Sequence, residues 1–113
     1  MDCLFCRIAA GEIPTKKIFE DDDIVAFYDI APQAPVHFLV IPRRHISNLF
    51  EMEASDSALL GKMIFKAQQI AQNLGMSEKG GRFVLNCKSD GGQSVNHVHL
   101  HVLGGRELAW PPG

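Results

Sequence analysis

Histidines alternate with apolar residues near the end of the chain, and this alternation constrains the fold more than any other feature. The segment reads His97-Val98-His99-Leu100-His101-Val102. Successive side chains of a β-strand point to opposite faces, so one face of such a strand carries only imidazoles, about 7 Å apart, and the other only apolar groups. The alternation therefore predicts a strand over roughly residues 94–103 whose apolar face packs on a core.

A long amphipathic helix is predicted in the middle of the chain. From Ser57 to Leu74, apolar residues recur at the spacing of one helix face, and we expect this stripe to pack on a sheet. Ser55 or Asp56 is placed to cap the start of the helix, and Gly75 to end it. The predicted stripe comprises Leu60, Met63, Ile64, Ala67, Ile70 or Ala71, and Leu74.

Strands are predicted on both sides of that helix. Segments rich in β-branched and aromatic residues and bounded by turn residues are typical of strands, and they occur at Ile24 to Asp29, Val36 to Pro42 and Arg82 to Lys88. The turn Ser89-Asp90-Gly91-Gly92 is expected to join the last two strands. Strands before and after one long helix indicate an α+β fold with a largely antiparallel sheet.

Two shorter features precede the first of these strands. Residues 3–10 are predicted to form a short N-terminal helix that ends at Gly11. The acidic run Glu20-Asp21-Asp22-Asp23 fits a solvated hairpin turn between Lys17-Ile18-Phe19 and Ile24. It lacks the ligand spacing of a calcium loop, so we interpret it as a turn.

The composition is that of an ordinary globular domain and excludes several classes of protein. In 113 residues, 46% are hydrophobic, and 11 Lys and Arg against 13 Asp and Glu give a net charge of −2. We expect one domain, 1–113. The charge argues against a non-specific nucleic-acid binder, which needs a basic surface. The longest apolar run, Ile24 to Tyr28, is too short to span a membrane.

The cytoplasm is the expected compartment. The sequence begins Met1-Asp2-Cys3, without the basic residues and the long apolar stretch of a signal peptide. The cysteines number three, and an odd number argues against a disulfide framework.

The alternating histidines leave three chemical interpretations open. Single histidines are usually surface or hydrogen-bonded core residues, but three in alternation gain little packing over valine or threonine. Two neighbours can bind one metal ion, whereas the outer pair starts about 14 Å apart on a straight strand. A neutral imidazole can also attack phosphorus or carbonyl carbon while its neighbours donate protons. The G-x-S-x-G motif of serine hydrolases is absent from the sequence.

A glycine turn just upstream favours an anionic ligand. Glycines in Gly91-Gly92-Gln93-Ser94 let the backbone approach a ligand, and consecutive N–H groups in a turn can bind an anion. The alternative is a plain hairpin turn, which Asp90-Gly91 makes alone. The P-loop pattern is absent from the sequence. Combined with the aligned histidines, the turn indicates a phosphate site beside them.

Several segments together resemble the histidine triad (HIT) superfamily of nucleotide hydrolases and transferases, and its Hint branch in particular. The alternating histidines match the superfamily signature, and the further matches cover most of the chain from about Ile13 onward. Those matches are Phe27-Tyr28-Asp29-Ile30, Pro32 to Pro42, Gly91 to Ser94, Gly104-Gly105-Arg106 and Trp110-Pro111-Pro112-Gly113. Asn96 departs from the family, in which an aromatic residue often precedes the triad.

The resemblance implies a fold, an assembly and an activity. The fold is HIT-like: a five-stranded, mainly antiparallel sheet with one long helix and a short N-terminal helix, and two copies join their sheets in a homodimer. The activity is hydrolysis of purine nucleoside 5′-phosphoramidates of the AMP-NH2 or AMP-lysine type, without a cofactor for catalysis. The alternatives are a dinucleoside polyphosphate hydrolase, a nucleotidyl transferase, and a nucleotide-binding or scaffold protein with incidental hydrolysis.

The resemblance also implies catalytic roles, residue by residue. His99 is implied to be the nucleophile on the α-phosphorus, forming a nucleotidyl-histidine intermediate that water cleaves. His101 is implied to hold the phosphate oxygens, together with the backbone of Gly92, Gln93 and Ser94. The Ser94 hydroxyl is implied to bond the leaving nitrogen, although on an ideal strand it has the opposite parity to His99. His97 completes the triad, and His37 is implied to be its partner.

The nucleoside part of the site follows from the same resemblance. Asp29 is implied to accept the ribose hydroxyls, although without the resemblance the residue is better explained by a turn cap. Ile30 is implied to lie against the base, and Asn86 to contact the sugar-phosphate. Further candidates for the base pocket are Phe5, Ile8, Phe27 and Leu39. Trp110 is implied to approach the partner subunit's site, whereas a lone tryptophan near a chain end is usually packing.

A pair of cysteines near the start raises the question of zinc. In Cys3-Leu4-Phe5-Cys6 the thiols lie one helical turn apart on the same side. Some histidine triad relatives hold zinc with such a pair and two histidines, for which His45 and His97 are the candidates here, as a closed structural site. The alternative is a pair of thiols packed as small apolar residues. A redox pair is disfavoured because no strand precedes the motif.

Overall fold

The predicted α+β architecture is confirmed. The computed structural model describes residues 3–113, so Met1 and Asp2, part of the segment predicted not to be a signal peptide, lie outside the described residues. The strands are β1 (Lys17–Glu20), β2 (Ile24–Tyr28), β3 (Val36–Pro42), β4 (Gly81–Val84) and β5 (Leu100–Gly104). They form one five-stranded antiparallel sheet in the order β1-β2-β3-β5-β4. The helices are α1 (Leu4–Ala9), α2 (Ser57–Asn73) and the one-turn α3 (Lys88–Gly91), with 3-10 turns at Leu49–Glu51 and Ala54–Asp56.

Helices cover both faces of the sheet, so its central strands are apolar along most of their length. The face under α2 buries Ile24, Ala26, Phe38, Val40, Leu100 and Val102 with Met63 and Ala67 of the helix. The opposite face, under α1, buries Val25, Phe27, Leu39 and Ile41 with Phe5 and Ile8. Each Val, Leu, Ile, Phe or Met side chain among them contributes about 1.5–3 kcal/mol when fully buried. The Phe5 ring of the second cluster contacts the rings of His97 and His99.

The register of β5 decides which face carries its histidine. His101 pairs across the strands with Leu39 of β3, and paired residues of neighbouring strands point to the same face. Leu39 belongs to the cluster under α1. His101 therefore lies on the α1 face, while Leu100 and Val102 fill the core under α2.

The two helical predictions are confirmed in position, but Leu60 and Ile64 of the predicted stripe do not belong to the buried core. α1 is capped by Cys3 and followed by Gly11 at a φ of 78°, and α2 ends one residue earlier than predicted, with Gly75 at a φ of 86°. Ile64 was expected in the core but is 44% exposed. The buried stripe is instead Met63, Ala67, Ile70 and Ala71, so Ile64 lies too far round the helix to reach the sheet.

The acidic run forms the predicted turn between β1 and β2. The Asp21 carboxylate accepts the backbone N–H groups of Asp23 and Ile24 at 2.8 and 2.9 Å. Lys62 of α2 contacts the Asp21 and Asp23 carboxylates at 2.7 and 2.8 Å. The Lys62 ammonium, followed by the two backbone N–H groups, lowers the pKa of Asp21 to about 2. The turn is thereby tied to the long helix.

The connection between β4 and β5 is where the sequence-based prediction is wrong. The strand predicted over 82–88 ends at Val84, and the strand predicted over 94–103 begins only at Leu100. The expected tight turn over 89–92 is replaced by α3, which begins at Lys88 with a φ of 56°. His97 and His99 consequently precede the strand, and the three imidazoles do not share one regular face. Among the described residues, 3–113, no helix combines the length and apolarity needed to span a membrane.

Candidate active site

His99 carries its proton on the nitrogen that faces the backbone. Its Nδ1 lies 2.7 Å from the carbonyl oxygen of His97, and because a carbonyl oxygen only accepts, Nδ1 holds the proton and Nε2 keeps its lone pair. Burial lowers the pKa of His99, which is 3% exposed, so the ring is neutral at pH 7. Within residues 3–113, Nε2 has no hydrogen-bond partner. A neutral imidazole with one free nitrogen has the form required of a nucleophile.

His101 is oriented by a chain of hydrogen bonds that starts at a backbone amide. The N–H of Gln33 donates to Nδ1 of His37 at 3.0 Å, so the proton of the neutral His37 ring is on Nε2. That Nε2 lies 3.0 Å from Nδ1 of His101 and donates to it. The proton of His101 is then on Nε2, which leaves this N–H as a donor for a ligand.

The free nitrogen and the donor belong to adjacent rings. The ring centroids of His99 and His101 are 4.9 Å apart, closer than the spacing of about 7 Å expected on a regular strand. Burial, with His99 and His37 nearby, lowers the pKa of His101 to about 4, so this ring is neutral as well. A lone pair and an N–H donor side by side can attack a phosphorus atom and bind its oxygens.

Asp29 directly follows β2 and lies beside the same hydrogen-bond chain. Its Oδ1 accepts the N–H of Ala31 at 2.8 Å, so the turn-capping interpretation of this residue describes one of its two oxygens. The other, Oδ2, lies 3.5 Å from Nε2 of His37. The carboxylate is therefore close to His37 and His101, and its side chain is 18% exposed.

The outermost histidine, His97, is grouped with the cysteines rather than with its triad neighbours. Ligand atoms of Cys3, Cys6, His45 and His97 all lie within 4.8 Å of one another. The Cys6 sulfur lies 3.3 and 3.5 Å from Nδ1 of His45 and His97, and the Cys3 sulfur lies 3.4 Å from Nδ1 of His97. These distances are close to the spacing of about 3.6 Å between sulfur and nitrogen ligands of a tetrahedral zinc ion. The four residues predicted as a metal site are thus brought together.

The donor set of this cluster fits a metal ion. Nε2 of His97 lies 2.8 Å from the carbonyl oxygen of Pro42, which holds the proton there and leaves the Nδ1 lone pair facing both sulfur atoms. The N–H of Cys6 donates to the sulfur of Cys3 at 3.3 Å, a contact that stabilises a thiolate. In the absence of a metal, burial and the neighbouring Cys3 thiol raise the pKa of Cys6 to about 11.

A second group of ligand-type residues, Asp29, His37 and His101, does not fit a metal ion. These side chains also lie within 4.8 Å of one another. A metal on Nε2 of His37 requires the ring proton on Nδ1, where it would oppose the N–H of Gln33 at 3.0 Å. The N–H of Gln33 therefore favours a hydrogen-bond chain through this group rather than a metal ion. The position of the ring protons thus distinguishes this group from the cluster of Cys3, Cys6, His45 and His97.

The glycine turn is held by the side chain of Gln93. Its Oε1 accepts the N–H of Lys88 at 2.9 Å, and its Nε2 donates to the carbonyl oxygens of Ser47 and Val95 at 2.6 and 2.9 Å. The N–H groups of Gly92 and Gln93 donate to Ser89 and Lys88 within the loop. These two amides are thus engaged, whereas the N–H of Ser94 has no partner within residues 3–113. Ser94 itself is exposed.

The remaining predicted residues differ in their burial. Phe5, Ile8, Phe27 and Leu39 lie in one cluster under the histidines, each at most 6% exposed, and the Phe5 ring meets the His99 ring edge-on with centroids 5.0 Å apart. Ile30 and Trp110 are 96% and 83% exposed. Asn86 is half-buried beside Gly91 of α3.

Sequence reasoning missed the backbone groups that orient the rings. The carbonyls of His97 and Pro42 and the N–H of Gln33 fix three imidazoles, and no side-chain pattern marks such atoms.

A cleft of about 740 Å³ elsewhere, between the α2–β4 connection and the segment after β5, is lined by no histidine. The size of this cleft therefore does not mark it as the site of the reaction.

The fold and the paired histidines together define a histidine-centred site on a five-stranded α+β sheet. The HIT domain model matches residues 10–108, and the chain belongs to this family. It is 51% identical over 112 residues to an uncharacterized HIT-like protein of Synechococcus elongatus, covering 99% of this chain and 97% of that protein. The predicted family membership is thus confirmed.

Solved structures of relatives agree with this fold. A HIT family hydrolase from Legionella pneumophila is 53% identical with a TM-score of 0.97, covering 99% of this chain and 100% of that one. A histidine triad protein from Clostridium difficile is 42% identical with a TM-score of 0.93, covering 96% and 95% of the two chains. The chain is a hydrolase-like protein of the HIT family.

Proposed function

We propose that the protein hydrolyses purine nucleoside 5′-phosphoramidates of the AMP-NH2 or AMP-lysine type, with His99 as the nucleophile. The observation that carries this proposal is the bond between Nδ1 of His99 and the carbonyl oxygen of His97 at 2.7 Å, which leaves Nε2 unprotonated. The adjacent N–H of His101 supports phosphorus as the atom that is attacked, because the oxygens bonded to phosphorus are stabilised by hydrogen-bond donors.

The reaction takes two displacements at phosphorus. In the first, Nε2 of His99 forms a bond to the α-phosphorus, the P–N bond of the substrate breaks, and its electron pair stays on the leaving nitrogen, which takes a proton from solvent while the Ser94 hydroxyl hydrogen-bonds to it. In the second, the oxygen of water bonds to phosphorus, the bond to Nε2 breaks, and the proton of that water goes to solvent. His101 Nε2–H donates to the phosphate oxygens throughout.

The nucleoside contacts are proposed from the position of each residue. Asp29 would accept a ribose hydroxyl on the oxygen that is not bonded to Ala31, and Ile30, fully outside the core, would lie against the base. Asn86 and the N–H of Ser94, both in the connection between β4 and β5, would contact the sugar-phosphate. The buried cluster of Phe5, Ile8, Phe27 and Leu39 would form the floor beneath the base.

The test is hydrolysis of a fluorogenic adenosine phosphoramidate. We expect His99→Ala to lower kcat by at least about a thousandfold while AMP binding, measured by calorimetry, changes little, because the alanine removes the attacking imidazole and leaves the other proposed contacts to the nucleotide in place. Ser77→Ala, an exposed residue of the α2–β4 connection, is the control and should match the wild type. Normal turnover by His99→Ala would refute the mechanism, and no turnover by the wild type on any phosphoramidate would refute the activity.

Zinc is proposed as a structural ion held by Cys3, Cys6, His45 and His97. When bound, it would cross-link the start of α1 to the segments that carry the two histidines, and it would leave His99 free. Protein purified without chelator should contain about one zinc ion per chain, and Cys6→Ser should lose it while Cys87→Ser keeps it. Zinc near zero in the wild type would reject the site.

A homodimer is proposed through β4 and the outer face of α2. β4 is an edge strand of the sheet, and its Phe83 is 43% exposed, whereas Phe19 on the other edge strand is covered by the Lys66 ammonium at 4.1 Å from its ring centroid. Ile64 and Phe65 of α2 are 44% and 62% exposed. An unpaired strand edge and exposed apolar side chains are each typical of an interface. A single domain over 1–113 and a cytoplasmic location stay predictions.

A further inference from the structure

Arg106 joins the end of the histidine strand to the loop between β2 and β3. It follows β5 by two residues, and its Nε and Nη2 both donate to the carbonyl oxygen of Gln33, at 3.1 and 3.0 Å. A guanidinium that donates twice to one oxygen fixes the direction of that carbonyl better than a single bond. The third contact, from Nη1 to the carbonyl oxygen of Glu107 at 3.1 Å, stays within its own segment.

The close approach of the two segments is built into the sequence. Gly105 has a φ of 88°, and a Cβ at that position would lie 2.9 Å from Cβ of Pro35. A side chain there would be strained by the backbone and would push the loop away. The glycine thus allows Arg106 to reach Gln33.

Gln33 is also the residue that sets the proton of His37. Its N–H donates to Nδ1 of His37 at 3.0 Å, and its carbonyl, on the other side of the same Cα, is the one that Arg106 holds. Its side-chain amide donates to the carbonyl oxygen of Ala31 at 3.0 Å, and the N–H of Ala31 donates to Asp29. The orientation of Gln33 therefore reaches both the His37–His101 chain and the carboxylate.

We propose that Arg106 is a positioning residue for the histidine site: by fixing Gln33, it keeps the proton of His37 on Nε2 and so makes His101 a donor toward the ligand. Arg106 touches neither the nucleophile nor any residue assigned to substrate. The consequence for turnover rests on the proposed phosphoramidate hydrolysis, whereas the consequence for the ring protons does not.

The competing explanation is that Arg106 only anchors the C-terminal tail. Arg82 of β4 provides the matched control, because its Nη2 donates to the carbonyl oxygen of Ala109 at 2.6 Å and thus holds the tail without contacting Gln33. Arg106→Met and Arg82→Met each remove one guanidinium with a side chain of similar length. Arg106→Lys keeps the charge but replaces the planar guanidinium by one ammonium group.

The experiment measures imidazole ¹⁵N shifts in protein labelled at histidine. In the wild type and in Arg82→Met, we expect His37 to show a protonated Nε2 and an unprotonated Nδ1; in Arg106→Met we expect a mixture of both forms, and in Arg106→Lys a partial return. With an adenosine phosphoramidate, kcat of Arg106→Met should fall roughly tenfold with KM little changed, and Arg82→Met should keep the wild-type kcat.

Either of two results would overturn the proposal. One is wild-type ¹⁵N shifts at His37 in Arg106→Met, and the other is an equal loss of kcat in the two arginine variants. The shifts are measured without substrate, so an enzyme that turned over no phosphoramidate would refute the proposed function and leave the role of Arg106 in the ring protons decided by the spectra.

Discussion

Each buried imidazole of the site faces one backbone atom that decides which nitrogen holds its proton. The carbonyl of His97 assigns Nδ1–H to His99, the carbonyl of Pro42 assigns Nε2–H to His97, and the N–H of Gln33 assigns Nε2–H to His37. The three imidazoles thereby take different roles. His99 has a free nitrogen beside the candidate phosphate site, His97 turns a lone pair toward two sulfur atoms, and His37 donates to His101. Residue type alone does not distinguish them.

The pH dependence of turnover follows from the neutral rings. Burial lowers the pKa of His99 below its usual value and that of His101 to about 4. A lowered pKa means that protonation, which blocks Nε2 of His99, begins only at a lower pH than for a free imidazole at about 6.5. We expect kcat to stay level from pH 8 through the free-imidazole pKa of about 6.5 and to fall only at lower pH, measured under saturating substrate. A midpoint at or above the free-imidazole value would contradict this.

At the scale of elements, two facing glycines allow β4 and β5 to pair. Gly81 lies opposite Gly104, and a Cβ on Gly81 would collide with the carbonyl oxygen of Leu103 and with Met76. Met76 also fills the space above Gly104. The strand that ends the histidine segment is thus held against its neighbour by a contact that only glycine permits.

Substitution of Gly81 tests that packing. Gly81→Ala should lower the free energy of unfolding by about 1–3 kcal/mol, because the colliding atom is backbone and cannot rotate away. The control is Gly91→Ala in α3, where the added Cβ meets its nearest atoms at 3.7 and 3.8 Å; its effect should stay within about 0.5 kcal/mol. Urea unfolding followed by circular dichroism gives both values, and equal midpoints for the two variants would contradict the close contact.

Elements fixed by local pattern could be predicted, and those fixed by distant contacts could not. The bounds of β3 agree with the sequence, as does the start of α2, because β-branched residues, turns and helical periodicity act over a few residues. The path from Leu85 to His99 depends instead on Gln93 reaching Ser47, 46 residues away, and on Lys88 in a left-handed conformation. Neither carries a local signal, so a regular hairpin was the expected outcome.

The same division holds within the candidate site. The alternation of His97, His99 and His101 pointed to the segment of the candidate site, and the spacing of Cys3 and Cys6 pointed to a group of residues that could hold a metal ion. The assignment of His97 to the cysteines rather than to the other histidines needed the resemblance, because a straight strand places all three rings on one face. The place of Arg106 in the site needed the structure, since Arg106 and Gln33 are 73 residues apart.

At the scale of the whole molecule, the proposed dimer makes a prediction about mass. Phe65→Glu places a charge on an exposed apolar face of α2, so the interface would have to bury it, at a cost of several kcal/mol. Sedimentation equilibrium should then give twice the chain mass for the wild type and one chain mass for the variant. Phe50→Glu, at an exposed residue outside that face, is the control and should stay dimeric. A monomeric wild type would refute the dimer.

The histidine site and the cluster of Cys3, Cys6, His45 and His97 meet at one residue. The ring of His97 faces the sulfur atoms, and its carbonyl oxygen orients His99. The first helix contributes to both, because Cys3 caps it and Phe5 meets His99. A structural ion at the start of α1 would therefore support the same wall against which the nucleophile packs.

Trapping the intermediate tests the role of His99 most directly. The protein is mixed with an adenosine phosphoramidate, quenched in alkali within milliseconds because a phosphorus–nitrogen bond to imidazole is labile in acid, and digested for mass spectrometry. If Nε2 of His99 attacks phosphorus, one adenylyl group is found on the peptide that contains His99, and it disappears as AMP accumulates. An adenylyl group on any other residue, or AMP release with no adduct at any quench time, would contradict that role.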